Sequence, residues 1–137
     1  MFYRFAMATA LLAALPASAD TPQQLLDRYA AQARAEVAGY PGPSSAMGNR
    51  FFHARHSDWS CASCHTADPA NPGKHVVTGK PIAPLAPTAN AQRFRDPVRV
   101  EKWFKRNCSD TLRRACTSAE KADVLAYLLS LDGGARP

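Results

Sequence analysis

Residues Cys61-Ala62-Ser63-Cys64-His65 read C-x-x-C-H, and no other stretch limits the chain so tightly. The pattern is the attachment signature of a c-type haem. Two thiols three positions apart can each form a thioether to one of the two haem vinyl groups, and the adjacent imidazole then stands under the iron as its proximal ligand. A neutral ring nitrogen binds iron while the other is steered by a second acceptor. The motif therefore calls for one covalently bound haem c, held by Cys61, Cys64 and His65.

A bare C-x-x-C also serves as half a zinc site or as a redox dithiol. Zinc needs two further ligands, and neither a second C-x-x-C nor an H-x3–5-H block follows. His53 and His56 stand in an order and spacing that fits no common zinc module. A thioredoxin-like dithiol expects a βαβ pattern, and none is visible.

The first 19 residues have the build of a secretory signal peptide. Arg4 supplies a positive start, Phe5 to Leu15 is an apolar run too short to span a bilayer, and Ala17-Ser18-Ala19 is a small-x-small cleavage site. The expected mature chain, residues 20–137, carries a net charge of +5 and no membrane span. It is one small domain, large enough for one core around a cofactor. Export implies the periplasm, where c-type haem is attached and disulfides persist.

Helix signals recur along this domain. Thr21 caps a predicted helix from Pro22 to Ala38, with Gln24 closing a capping box. Leu25, Leu26, Tyr29, Ala33 and Val37 share a face, and Gly39 with Pro41 and Pro43 forbids continuation. Residues 20–44 read as an N-terminal helical extension that packs on the haem domain. A second helix fits Ser45 to Arg55. A third starts at Asp96-Pro97 and is expected to end near Asn107-Cys108. Thr117 and Glu120 box the start of a last helix, Ser118 to Leu131, with Val124, Leu125, Leu128 and Leu131 apolar and Gly133-Gly134 beyond. Residues 66–88, rich in proline and glycine, read as loops around the haem. No strand pattern appears, so the expected fold is all-α.

Three histidines outside the motif, His53, His56 and His75, read as ordinary surface or locally satisfied residues. Trp59, two positions before Cys61, is expected to cover the haem edge. An electron carrier of this class normally offers a methionine from well downstream as the second iron ligand, where the soft thioether favours ferrous iron. Here Met1 and Met7 lie in the signal and Met47 precedes the motif, so that ligand is missing.

Several segments carry family resemblances. Gly48-x-x-Phe51-Phe52 resembles the first helix of class I cytochromes c, where a glycine lets the C-terminal helix approach. Ile82-Ala83-Pro84-Leu85 resembles the loop that there offers a carbonyl to the proximal histidine, which makes Pro84 the candidate acceptor. More specifically, Gly79-Lys80-Pro81-Ile82-Ala83-Pro84-Leu85-Ala86-Pro87, Arg93-Phe94, the run from Val100 to Asn107-Cys108, Cys116-Thr117 and Glu120 to Ala126 resemble the sphaeroides haem protein (SHP) family. These are small high-spin cytochromes c that bind oxygen. The resemblance covers roughly residues 48–131.

The resemblance implies a class I cytochrome c-like fold with an extra N-terminal helix. It implies that Asn107 ligates ferric iron and is released on reduction, freeing a position for O2, NO or CO. It also implies a disulfide between Cys108 and Cys116 beside the haem. An amide oxygen is hard, neutral and weak, and matches ferric better than ferrous iron. The bridge would close a small loop, worth on the order of 2–3 kcal/mol. Without the resemblance Asn107 reads as a helix C-cap, and Asn90 is a rival in a segment that holds no family ligand.

The resemblance further links the family to nitric oxide dioxygenation, in which O2 and NO combine to nitrate, and to an acidic dihaem cytochrome c as electron donor. Eight basic residues between Arg93 and Arg114 face only Asp96, Glu101 and Asp110. Such a surface steers an acidic redox partner or is simply a solvated helix face; nucleic acid is excluded by export. Two further readings stand beside gas binding: a simple electron-transfer cytochrome, and a gas or redox sensor that uses the disulfide as a second redox centre.

Overall fold

Thr21, Ser44, Asp96 and Thr117 each turn a side-chain oxygen back onto a backbone N–H of the following turn, and each opens a helix. The computed structural model describes residues 20–131. The expected signal peptide and the expected Gly133-Gly134 stop lie outside the described residues. The helices are α1 (Pro22–Glu36), α2 (Ser45–His53), α3 (Cys61–His65), α4 (Pro97–Leu112) and α5 (Ser118–Ser130), with short strands β1 (Gly73–Lys74) and β2 (Pro81–Ile82) between α3 and α4. The two strands pair antiparallel, Gly73 with Ile82 and Lys74 with Pro81. This ribbon corrects the expectation of no strand. Two residues a side are too few to show an alternating pattern.

The core forms where α5 lies between α1 and α2. Leu25, Tyr29, Ala30 and Ala33 make the inner stripe of α1. Val37, expected on that stripe, falls beyond the helix end and is exposed. α5 is covered on two sides and buries Ala122, Val124, Leu125, Tyr127 and Leu128. Full burial of each large apolar side chain contributes about 1.5–3 kcal/mol.

Gly48 sets the α2–α5 crossing. A Cβ there would stand 1.9 Å from the Asp123 carbonyl oxygen and 2.9 Å from Tyr127 Cβ. The backbones therefore touch, as the class I resemblance implied. Ser44 N–H donates to the Asp123 carboxylate at 2.8 Å and fixes the same crossing from the capping residue. One turn on, Phe52 is buried against Tyr127, ring centroids 5.6 Å apart.

α4 runs past the expected end near Asn107-Cys108. Ser109-Asp110-Thr111-Leu112 contains no glycine or proline to break it, and the helix stops only where Arg113 turns left-handed, at φ 60°. Asn107 is therefore inside the helix and is not its C-cap. Along its first half α4 is held by few contacts: Tyr29 O–H donates to Glu101 at 3.0 Å, Lys121 pairs with the same carboxylate at 2.6 Å, and Phe104 meets Tyr29 edge-on at 5.8 Å. Val98 on the same helix is 81 % exposed.

Gly48→Ala is expected to cost about 1–3 kcal/mol, because the added methyl meets backbone that cannot move aside. A guanidinium unfolding curve should show a lowered midpoint with an unchanged slope; an unchanged midpoint would show that the helices can separate freely.

Candidate functional site

The two motif cysteines occupy one face of a single helical turn. Ser60 caps α3, its hydroxyl accepting from Ser63 N–H at 3.1 Å while the Ser63 hydroxyl accepts from Ser60 N–H at 3.0 Å. Three residues apart on a helix, Cys61 and Cys64 are neighbours. Both are free thiols of intermediate burial. Burial pushes the Cys61 thiol up to about 11, so it stays protonated at neutral pH. Among the described residues no third and fourth His, Cys, Asp or Glu converge on them as zinc would need.

His65 ends this turn. Burial, and then the nearby Arg93 cation, pull its imidazole down to about 4. The neutral ring, which is the iron-binding form, is therefore the form present at neutral pH. Phe52 lies beside it, centroids 6.4 Å apart. The next residue, Thr66, turns through φ 64°, ψ 163°, a conformation costly for a side-chain-bearing residue. Its hydroxyl holds the turn by donating to the Asp68 carbonyl at 2.5 Å.

Gly73 of β1 backs the motif. A Cβ there would stand 2.1 Å from the Cys64 carbonyl oxygen and 3.1 Å from His65 Cα. Pro69, fully buried, receives Leu85 N–H at 2.9 Å and Ala86 N–H at 3.0 Å on its carbonyl. The 83–87 loop is thus tied to the chain just after His65. The Pro84 carbonyl, the candidate acceptor for the His65 N–H, receives Arg93 Nε at 2.7 Å and Asn90 Nδ2 at 3.5 Å. Arg93 Nη2 also donates to the Ala83 carbonyl at 2.6 Å.

Asn107 stands half-buried on α4, and among the described residues its carboxamide has no hydrogen-bond partner. Its backbone carbonyl accepts the Thr111 hydroxyl at 2.8 Å. The rival Asn90 is committed to its own loop, accepting from Gln92 N–H at 3.3 Å and reaching toward Pro84. Cys108 and Cys116 form a disulfide, Cα atoms 5.6 Å apart. Ser57 O–H donates to the Thr111 carbonyl at 2.7 Å, and Arg113 pairs with Asp58 at 2.8 Å. The end of α4 is thereby moored to the segment that leads into Cys61.

The remaining candidates fall into supporting positions. Trp59 is half-buried two residues before Cys61, and its carbonyl accepts His56 N–H at 3.3 Å. His53 bonds the Asn49 and Ala67 carbonyls, and His56 the Phe51 carbonyl. His75 Nδ1 accepts from Val77 and Thr78 N–H and shapes the turn between the strands. Cys61, Ala62, Leu85, Val100 and Phe104 pack against the core while remaining partly open. Two free thiols on one turn, with partly covered apolar side chains from three segments of the domain, suit a cofactor that is itself flat and apolar. Thr66, Gly73 and Arg93 are the site residues that sequence reasoning missed. Arg93-Phe94 stood among the matching segments, but nothing marked its role.

The family model described as domain of unknown function DUF1924 matches residues 38–128. The chain is 42 % identical over 126 residues to cytochrome c-type protein SHP of Cereibacter sphaeroides, covering 91 % of this chain and 96 % of that one. It is 40 % identical over 119 residues to cytochrome c'' of Methylophilus methylotrophus, covering 83 % of each. Among solved structures, oxidized cytochrome c'' superposes with a TM-score of 0.73 at 41 % identity, covering 80 % of this chain and 93 % of that one. Oxidized SHP, described as an oxygen binding cytochrome c, superposes at 0.71 and 40 % identity, covering 80 % and 96 %. The expected helical cytochrome fold and the resemblance to SHP are thus both shown.

Gly73→Ala is expected to push β1 off the Cys64 carbonyl and to lower the yield of chains with covalently attached haem. Pyridine haemochrome absorbance per mole of purified chain measures this. A ratio equal to wild type would show that β1 does not fix the motif.

Proposed function

The chain belongs to the DUF1924 family and is, like SHP and cytochrome c'', a c-type cytochrome with one covalently bound haem c, and we propose that it binds small diatomic gases when reduced. Cys61 and Cys64 carry the thioethers, His65 is the proximal ligand and Asn107 is a weak, releasable group on the opposite side. The haem iron supplies a coordination position that, on reduction, takes O2, NO or CO. SHP is described as oxygen binding, and a solution structure of cytochrome c'' is described as giving insight into haem-ligand detachment. Those descriptions belong to the relatives; on this chain the reading rests on its own residues.

The observation that carries it is the Asn107 carboxamide, unpartnered on a helix that a disulfide and two moorings hold in place. No methionine follows the motif to compete for that position. The carboxamide oxygen is a poor donor to ferrous iron, so Asn107 would hold the iron only weakly once reduced, while the disulfide keeps α4 in place. Its Nδ2–H2 would supply a hydrogen-bond donor for a polar diatomic. His65, kept neutral by burial and by Arg93, holds the iron from the other side in both states. Trp59 shields the haem edge, and the Pro84 loop backs His65.

The setting follows from the rest of the chain. Residues 1–19 direct export to the periplasm, where haem attachment and the disulfide are both supported. Among the described residues no helix is long and apolar enough to cross a membrane. Lys102, Lys105 and Arg106 are exposed on α4 without a carboxylate partner among the described residues. They offer an acidic redox protein, such as a dihaem cytochrome c, a salt-sensitive encounter surface.

Absorption spectra of ferric and ferrous wild type and Asn107→Ala test the reading. Carbon monoxide should shift the Soret band strongly in both reduced proteins, and the ferric spectrum should change with the substitution. Ferric spectra that are indifferent to Asn107→Ala remove the asparagine, and a reduced wild type that ignores carbon monoxide removes gas binding.

A further inference from the structure

Arg93 is a half-buried cation without a protein anion. Every other arginine that the structure pairs with a carboxylate sits at the surface: Arg28 with Asp20, Arg99 with Asp96, Arg113 with Asp58, Arg114 with Glu120. Arg93 has none among the described residues. Instead its Nε and one Nη2 proton are taken by the carbonyls of Pro84 and Ala83, at 2.7 and 2.6 Å. A guanidinium has five N–H donors, so three remain, and the two neutral carbonyls do not cancel its charge. Burial and the neighbouring Arg99 cation both work against that charge and lower its pKa.

A desolvated charge left without a counter-ion is costly, and the surroundings here add repulsion. Such an arrangement is stable when a carboxylate arrives from elsewhere. The free edge of a guanidinium clamped at its other edge presents parallel N–H bonds, the geometry that receives a carboxylate bidentately. The Ala83 and Pro84 carbonyls that hold it belong to the loop whose Leu85 and Ala86 N–H groups bond the Pro69 carbonyl, four residues after His65, so the cation stands on the loop tied to the haem attachment turn. Haem c keeps two propionate carboxylates after its vinyl groups are consumed by Cys61 and Cys64.

We infer that Arg93 is the counter-ion of a haem propionate, held for that purpose by the Ala83 and Pro84 carbonyls. One side chain then joins the cofactor's edge to the loop behind the proximal histidine. Its charge also opposes the extra positive charge of ferric iron, and so favours the reduced state. The assignment depends on the attached haem alone and stands whichever group faces the iron opposite His65.

Resonance Raman spectra of the propionate bending modes, together with the midpoint potential, decide it for the wild-type holoprotein, Arg93→Gln and Arg93→Lys. In wild type one bending mode should shift in D2O, since its partner is an exchangeable N–H. In Arg93→Gln that mode should move to the frequency of a solvated propionate, and the ferric form should be favoured roughly tenfold more at a fixed ambient potential. Arg93→Lys should keep most of the potential while altering the mode, because an ammonium is a point charge without the fork. If Arg93→Gln does not accumulate, Arg93→Lys and the deuterium shift carry the decision. Propionate modes that are identical in wild type and the variants, or that are insensitive to D2O, overturn the assignment whatever the potential does, and leave Arg93 as a clamp of the 83–84 loop.

Discussion

A one-turn helix cannot hold its own geometry, and residues 61–65 are a one-turn helix. The haem motif therefore takes its shape from what presses on it. Gly73 lets β1 lie directly on the Cys64 carbonyl, Phe52 stands beside His65, and Ser60 caps the turn from the front. Behind these stands the α2–α5 crossing, which is as close as it is because Gly48 has no side chain. Two glycines far apart in sequence thus do the same work: each removes a Cβ where a backbone carbonyl must come near. The strained Thr66 belongs to the same constraint, since the chain must reverse immediately after the ligand without pulling His65 out of place.

α4 is built on a different principle. It shares little packed surface with the α1–α2–α5 body and is instead pinned at points: Glu101 to Tyr29 and Lys121, Cys108 to Cys116, Thr111 and Arg113 to the 57–58 segment. Burial, and then the Glu101 carboxylate, raise the Tyr29 pKa, so the phenol stays protonated and a donor at neutral pH. In a small haem domain the cofactor itself supplies apolar core that the short chain lacks. The disulfide suits this arrangement, since it restricts α4 without requiring contact area.

Much of this was legible in the sequence where the cause is local. The capping boxes at Thr21 and Thr117, Asp96-Pro97, and C-x-x-C-H depend on neighbours a few residues away. The end of α4 was misread because an Asn-Cys pair looks like a stop, whereas the four residues after it contain no breaker. The β1–β2 ribbon left no trace, because two residues cannot display a period. Gly73 looked like one more loop glycine, since its reason lies in a contact with Cys64. Arg93 looked like part of a basic run. Only burial, and the commitment of two of its donors to Ala83 and Pro84, separates it from the solvated arginines around it.

That separation bears on how charge is distributed around the cofactor. On the His65 side the ring is neutral, and a fixed cation stands close by. Asn107, the group proposed for the other side, is neutral too, and its oxygen is a weak donor. Neither His65 nor Asn107 would bring an anion to offset the net positive charge of ferric iron in its porphyrin. A nearby guanidinium would by itself push the iron toward the ferrous state, and a propionate paired with it would restore part of the balance. Ligation by a hard carboxamide, as proposed for Asn107, would pull the other way, because it favours ferric iron. The two effects would act in opposite directions. Under the proposed ligation the oxidised protein would be stabilised by a contact that reduction removes, which is the condition for one electron to open a binding position.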